Sequence, residues 1–138
     1  MPDDIPARLA FATGRLNRRL RAVGVLSHGP LSVLATVSKY GPMRPAEIAQ
    51  LESVSAPSTT RLITELEATG MISRAADPDD GRAVLITVTD LGTETIAAAR
   101  AARAAMVAEL FEGLTDEEVQ SIAAALPALE KMVDRPGL

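Results

Sequence analysis

The chain has no cysteine and no tryptophan, and only one tyrosine, two phenylalanines and one histidine. Without cysteine there is no disulfide scaffold, thiol redox chemistry or cysteine-zinc site. One histidine, His28, supplies neither an imidazole-rich zinc site nor a Cys–His or Ser–His–Asp set. No Gly-rich phosphate loop occurs, and the acid pairs fall on polar helix faces, so no enzyme, cofactor or metal is expected. No apolar run approaches the roughly 20 residues that span a bilayer, and no signal peptide opens the sequence. The expectation is a soluble, cytoplasmic protein with no membrane partner.

At 138 residues the chain suits one domain and can bury a core without staples. Its net charge of −4 argues at first against nucleic acid, but distribution matters more than the sum. Residues 1–40 carry six Lys/Arg against two acids, residues 41–89 four against seven, and residues 90–138 four against nine. Each subunit can neutralise few phosphates, so nonspecific DNA affinity should be weak unless two subunits bind together.

Ile5, Leu9, Ala12, Leu16, Leu20 and Val23 recur at helical spacing, which predicts a first helix over 2–23 with Arg8, Arg15, Arg18, Arg19 and Arg21 interleaved. Ser27 caps a second helix with Pro30 in its first turn, Leu31, Leu34 and Val37 buried, and Tyr40-Gly41-Pro42 as its end. Pro45 opens a short third helix through Leu51, with Ile48 and Leu51 inward. Ser55 caps a fourth, which Gly70 stops. Its Leu62, Ile63 and Leu66 face the core, leaving Pro57, Ser58, Thr60, Arg61 and Thr64 outward.

Residues 71–74 and 83–88, separated by Asp-Pro-Asp-Asp-Gly, read as a β-hairpin. Thr89-Asp90 starts a long alanine-rich helix to about Phe111, and Thr115-Asp-Glu-Glu118 is a capping box for a last helix through about Val133. The small side chains of Ala98, Ala101, Ala102, Ala104 and Ala105 allow another helix to approach closely. With little else to bury against, the end helices point to a second copy of the chain. The fold class is mainly α with a small β-hairpin: a winged helix-turn-helix over 27–89, flanked by dimerisation helices at 2–23 and 90–134. Double-stranded DNA is the expected partner.

Three segments in register resemble the MarR family of bacterial transcriptional regulators, over roughly residues 25–95. Val54-Ser-Ala-Pro-Ser-Thr-Thr-Arg61-Leu is similar to the opening of that family's recognition helix. Glu67-Ala-Thr-Gly70-Met-Ile-Ser-Arg74 is similar to its helix-to-wing junction, and Asp77-Pro-Asp-Asp80-Gly-Arg82 followed by Thr89-Asp-Leu-Gly92 to its wing and next helix start. The resemblance implies a homodimer joined through the first and last two helices. In it the fourth helix of each subunit enters the major groove and each wing reaches the minor groove. A small molecule that loosens DNA is implied where the dimerisation helices meet the DNA-reading lobe. Two departures stand out: Arg44 occupies a position usually held by a capping Ser or Thr, so the third helix is expected to begin less cleanly, and Gly81 replaces a frequent arginine at the wing tip.

Candidate DNA-contacting residues are Ser55, Pro57, Ser58, Thr60, Arg61, Thr64, Arg74 and Arg82. Ser55 is chiefly a cap. Ser58 and Thr60 suit phosphate or base contact, and Pro57 a thymine methyl. The guanidinium fork of Arg61 matches guanine O6 and N7, and an i,i+4 pair with Glu65 would orient it. Arg82 suits a narrow minor groove. Asp80 is expected to brace the wing by pairing with Arg74 or Arg82. Phe11, His28 and Tyr40 are the ligand-pocket candidates. A calcium loop at Asp77-Pro-Asp79-Asp80-Gly81 is rejected, since the glycine falls one position early and Val88 holds the place of the closing glutamate.

Homodimeric repression of a pseudo-palindromic operator, released by a small ligand, is the leading functional reading. A protein-interaction module on the same scaffold and a ligand-blind architectural DNA binder are the alternatives.

Overall fold

The computed structural model describes residues 4–23 and 28–134. The order is α1 (Ile5–Arg21), α2 (His28–Tyr40), α3 (Pro45–Glu52), α4 (Ala56–Ala68), β1 (Ile72–Asp77), β2 (Asp80–Val88), α5 (Asp90–Phe111) and α6 (Asp116–Val133). Contacts divide the chain into two compact units, Met1–Arg103 and Ala104–Leu138, and α5 runs across the boundary.

Most helix boundaries follow from local chemistry. Asp4 caps α1 by accepting from the Ala7 N–H at 3.2 Å, so the helix begins at Ile5. Residues 2 and 3, expected inside α1, lie outside the described residues, as does Ser27, the expected cap of α2. Gly41 and Gly70 end α2 and α4 with φ of 76° and 78°, a region that costs glycine little. Around Gly70 the Met71 N–H bonds the Leu66 carbonyl and the Gly70 N–H bonds that of Glu67, both at 3.0 Å, the paired closure of a Schellman end.

α3 begins more cleanly than its arginine cap suggests. The guanidinium of Arg44 has no acceptor to offer, yet the Glu47 carboxylate accepts from the Arg44 N–H at 3.1 Å, which satisfies that donor. Leu51, expected to face inward, is 53% exposed. The inward face of α3 consists of Pro45, Ile48, Ala49 and Glu52 at i, i+3, i+4 and i+7, which leaves Leu51 on the far side.

The hairpin is longer than the sequence pattern suggests, and its register runs from Ile72↔Val88 through Arg74↔Ile86 to Asp77↔Asp80. Met43 pairs with Ile86 on the other edge of β2, through N–H···O bonds of 3.1 and 2.7 Å. The segment entering α3 is thereby fastened to the sheet.

Val33, Leu34, Val37, Met43, Ile48, Ile63, Leu66, Ile72, Ile86 and Ile96 form one buried cluster, drawn from α2, α3, α4, the hairpin and the start of α5. Each large aliphatic side chain buried there contributes about 1.5–3 kcal/mol. Glu52 ties α3 to α2 by accepting from the Ser32 hydroxyl at 2.6 Å and from that of Thr36. At the root of α5 the Thr89 hydroxyl donates to the Gly70 carbonyl at 2.6 Å and accepts from the Gly92 N–H at 3.1 Å, joining two helix ends.

In the second unit, Thr115 and Glu118 form the expected reciprocal capping box of α6, with bonds of 3.2 and 2.9 Å. α1 and α6 each contain no buried residue. Among the described residues, no helix is long and apolar enough to cross a membrane.

Candidate nucleic-acid interface

α3, the three residues 53–55 and α4 form the helix-turn-helix. Ser53 makes the turn in the left-handed region, with φ 53°, while the Val54 N–H bonds the Ala49 carbonyl at 3.1 Å. Ser55 then caps α4, accepting from the Ser58 N–H at 3.3 Å, and its hydroxyl donates to the Ser58 hydroxyl at 3.0 Å. Burial of Thr59, Ile63 and Leu66 fixes the rotation of α4. Pro57, Thr60, Arg61 and Thr64 are consequently exposed, and Ser58 is half-buried.

The threonines on this surface are already engaged. Thr60 donates its hydroxyl proton to the Ala56 carbonyl at 3.0 Å, and Thr64 donates to that of Thr60 at 2.8 Å. With the proton used inside the helix, each threonine can offer a partner a methyl group and an acceptor lone pair. That chemistry suits a thymine methyl better than a phosphate oxygen, which needs a donor.

The four arginines of the lobe divide into two pairs by their surroundings. Arg44 reaches Asp77, with Nε at 3.1 Å and Nη2 at 2.7 Å from the same carboxylate oxygen. Arg74 pairs with Glu67, linking β1 to the end of α4. Arg61 on α4 and Arg82 on the wing have no ion-pair partner among the described residues, and the expected Arg61–Glu65 pair does not form. Both side chains are exposed.

The expected pairing of Arg74 with Asp80 is corrected by the register. Arg74 lies opposite Ile86 while Asp80 lies at the tip opposite Asp77, three strand positions away, or about 10 Å. Asp80 instead accepts from the backbone N–H of Arg82 at 3.0 Å, so it shapes the wing through the main chain. The charged residue buried in the wing is Asp77, 8% exposed, which sequence reasoning placed only in the turn. Its carboxyl is held below the usual carboxylate range, first by the Asp79 N–H and then by the Arg44 side chain. The one sequence signal for this tie was an arginine in a capping position for which it is chemically unsuited.

Of the three ligand-pocket candidates, Tyr40 lines an open groove of about 490 Å³ between α2 and α5, together with Ser32, Thr36, Lys39 and Arg100. Phe11 lies on α1, 68% exposed beneath the Arg15 guanidinium at 5.7 Å, and His28 is exposed at the start of α2. Neither Phe11 nor His28 lines the groove that holds Tyr40. Among the described residues, no group of three or more His, Asp or Glu side chains is placed to hold a metal ion.

Comparison with known proteins agrees with this geometry. The MarR family model matches residues 26–84. An uncharacterized HTH-type transcriptional regulator of Mycobacterium bovis is 38% identical over 95% of this chain and 96% of its own length. The HTH-type transcriptional repressor MdtR of Bacillus subtilis is 32% identical over 64% of this chain and 57% of its own. A putative transcriptional regulator from Pseudomonas aeruginosa has a crystal structure that superposes with a TM-score of 0.83 at 26% identity, covering 97% of this chain and 99% of that one. Helix-turn-helix, wing and relatives together lead to one conclusion: the chain belongs to the MarR family and is a DNA-binding transcriptional regulator, not an enzyme.

Proposed function

We propose that the protein is a homodimeric, cytoplasmic repressor that reads a pseudo-palindromic operator and is released by a small ligand. The observation that carries the DNA-reading part is the division of the arginines. Arg44 and Arg74 are paired with carboxylates of the protein, whereas Arg61 and Arg82 stand exposed, with no ion-pair partner among the described residues, on the two elements that would face the grooves. In this reading the lobe over 27–89 holds the DNA surface. Arg61 reads a guanine, Pro57, Thr60 and Thr64 meet thymine methyls or backbone, Ser55 and Ser58 meet phosphate at the helix N-terminus, and Arg82 enters the minor groove. Arg74 acts beside them as a brace at the wing.

The apolar surface of the outer helices supports dimerisation through 2–23 and 90–134. α1 exposes Ile5, Phe11 and Leu16, and α6 exposes Ile122, Leu126, Met132 and Val133. A helix of 17 residues with nothing buried is marginal in water, so α1 needs a partner surface. Two α4 helices related by a two-fold axis would then reach half-sites roughly one helical turn apart. The groove bearing Lys39, Tyr40 and Arg100 supports a ligand site, and the repressor named among the relatives supports repression. A ligand that holds the subunits at the wrong spacing draws population from the DNA-competent arrangement. A swing from 1:99 to 99:1 needs about 5.5 kcal/mol of differential binding.

The test is a gel-shift titration against a library of duplexes, including the chain's own upstream region, at two salt concentrations. One palindromic site shifted by a single dimer at the higher salt is the expected result. Weak binding to every duplex, lost with added salt, would overturn it and favour a protein partner.

A further inference from the structure

The wing has an uneven supply of support. Near its root Ile72 and Ile86 are buried, and Met43 is bonded to Ile86 on the outer edge. Further out, residues 73–76 and 78–82 are all exposed, and Val84, opposite Ala76, is the outermost side chain of the hairpin packed against the core. Asp77 is the exception, a buried carboxylate at the far end of an exposed strand.

That carboxylate has two distinct connections. One oxygen, Oδ1, accepts from the Asp79 N–H at 2.9 Å and so shapes the turn at the tip. The other, Oδ2, accepts from Nε and from Nη2 of Arg44. Beyond the turn, Asp80 accepts from the Arg82 N–H. A chain of bonds thus runs from the N-cap of α3 through Asp77 to the backbone that carries Arg82. Arg44 is also the residue directly after Met43, so the start of α3 grips the hairpin at two adjacent positions.

We infer that Arg44 is a positioning residue for the wing, acting through Asp77 to hold Arg82 at a set distance from the helix-turn-helix. The inference rests on the DNA-reading function proposed above only for its binding readout. It accounts for an arginine where a hydroxyl side chain would cap α3 better: the position forgoes a cap and gains a tether.

Arg44→Ser tests it cleanly, because serine is a favoured N-cap and restores a complete capping box with Glu47 while removing the tether. Loss of fold is therefore not expected, and thermal unfolding checks this. On the operator found by gel shift, Arg44→Ser should weaken binding about five- to tenfold, and that loss should vanish in an Arg82→Ala background, since the two changes act on one contact. A loss that persists undiminished beside Arg82→Ala would mean that Arg44 contacts DNA itself, and would overturn the inference. So would unchanged binding by Arg44→Ser. Amide hydrogen exchange of the free protein decides the matter even if no duplex is bound. Faster exchange over residues 75–84 with unchanged exchange at Ile48 and Ile63 is expected, and equal protection of the wing in both proteins would overturn the tether.

Discussion

A β-carbon placed on Gly92 would stand 2.2 Å from the carbonyl oxygen of Met71 and 2.8 Å from a methyl of Val88. The Met71 oxygen cannot retreat freely, because it accepts from the Thr89 N–H at 3.1 Å. The first turn of α5 is therefore pressed against the root of the wing, and only glycine fits. Gly92→Ala should destabilise by about 1–3 kcal/mol, because overpacking against fixed backbone outweighs the helix propensity that alanine adds, about 0.8–1 kcal/mol. Urea unfolding checks this, and a midpoint equal to or above wild type would show that α5 shifts at no cost.

Ser53 carries the opposite kind of strain. It holds φ 53° at the end of α3, where glycine would adopt the same backbone without a β-carbon clash. Ser53→Gly should raise stability by about 0.5–1 kcal/mol without altering DNA binding. Paired urea melts and gel shifts separate the two effects.

Asp77 predicts an acid limb in the stability profile. Its folded carboxyl titrates below the unfolded one, through the Asp79 N–H first and the Arg44 guanidinium second. A depressed carboxyl contributes stability that is fully present above the unfolded value, about 3.9, and is lost as pH falls through the folded value. Arg44 is pushed the other way by Asp77 and stays charged throughout. Urea midpoints should hold steady on this account from neutrality to about pH 5 and fall below it. Asp77→Asn should remove that component of the decline, and an unchanged slope in the variant would contradict it.

In the core, Leu34 is fully buried among residues from several elements. Leu34→Ala should cost about 2–5 kcal/mol by transfer and cavity formation. Leu51→Ala, on the solvent side of α3, should fall within about 0.5 kcal/mol of wild type. Thermal melts of the two variants test the inward face assigned to α3.

At the DNA surface, Arg61→Ala should relax preference at one base pair of each half-site by about 1–3 kcal/mol. Arg82→Ala should instead weaken binding to many sequences alike and lower its salt dependence. Competition gel shifts with single-base operator variants distinguish these patterns.

Helix ends, apolar stripes and turns were legible because each depends on residues a few positions apart. Ser55, Gly70, the Thr115–Glu118 box and the stripe of Leu31, Leu34 and Val37 are local statements, and the helix-turn-helix followed by a hairpin follows from their order. Leu51 misled because an eight-residue helix shows too few turns to define its inward face. The pairings lay beyond local reach. Arg44 and Asp77 are 33 residues apart and meet only because Met43 docks on β2 beside Ile86. The partner of Arg74 turned on register, since hydrogen bonding from Ile72↔Val88 outward sends Asp80 to the tip and leaves Glu67 within reach. Composition and spacing by themselves determined which elements form and which face of α4 carries hydroxyls and Arg61. Which arginines are consumed inside the protein and which remain free was decided by tertiary structure alone, because a charge is neutralised by whatever the fold brings within a few ångströms of it.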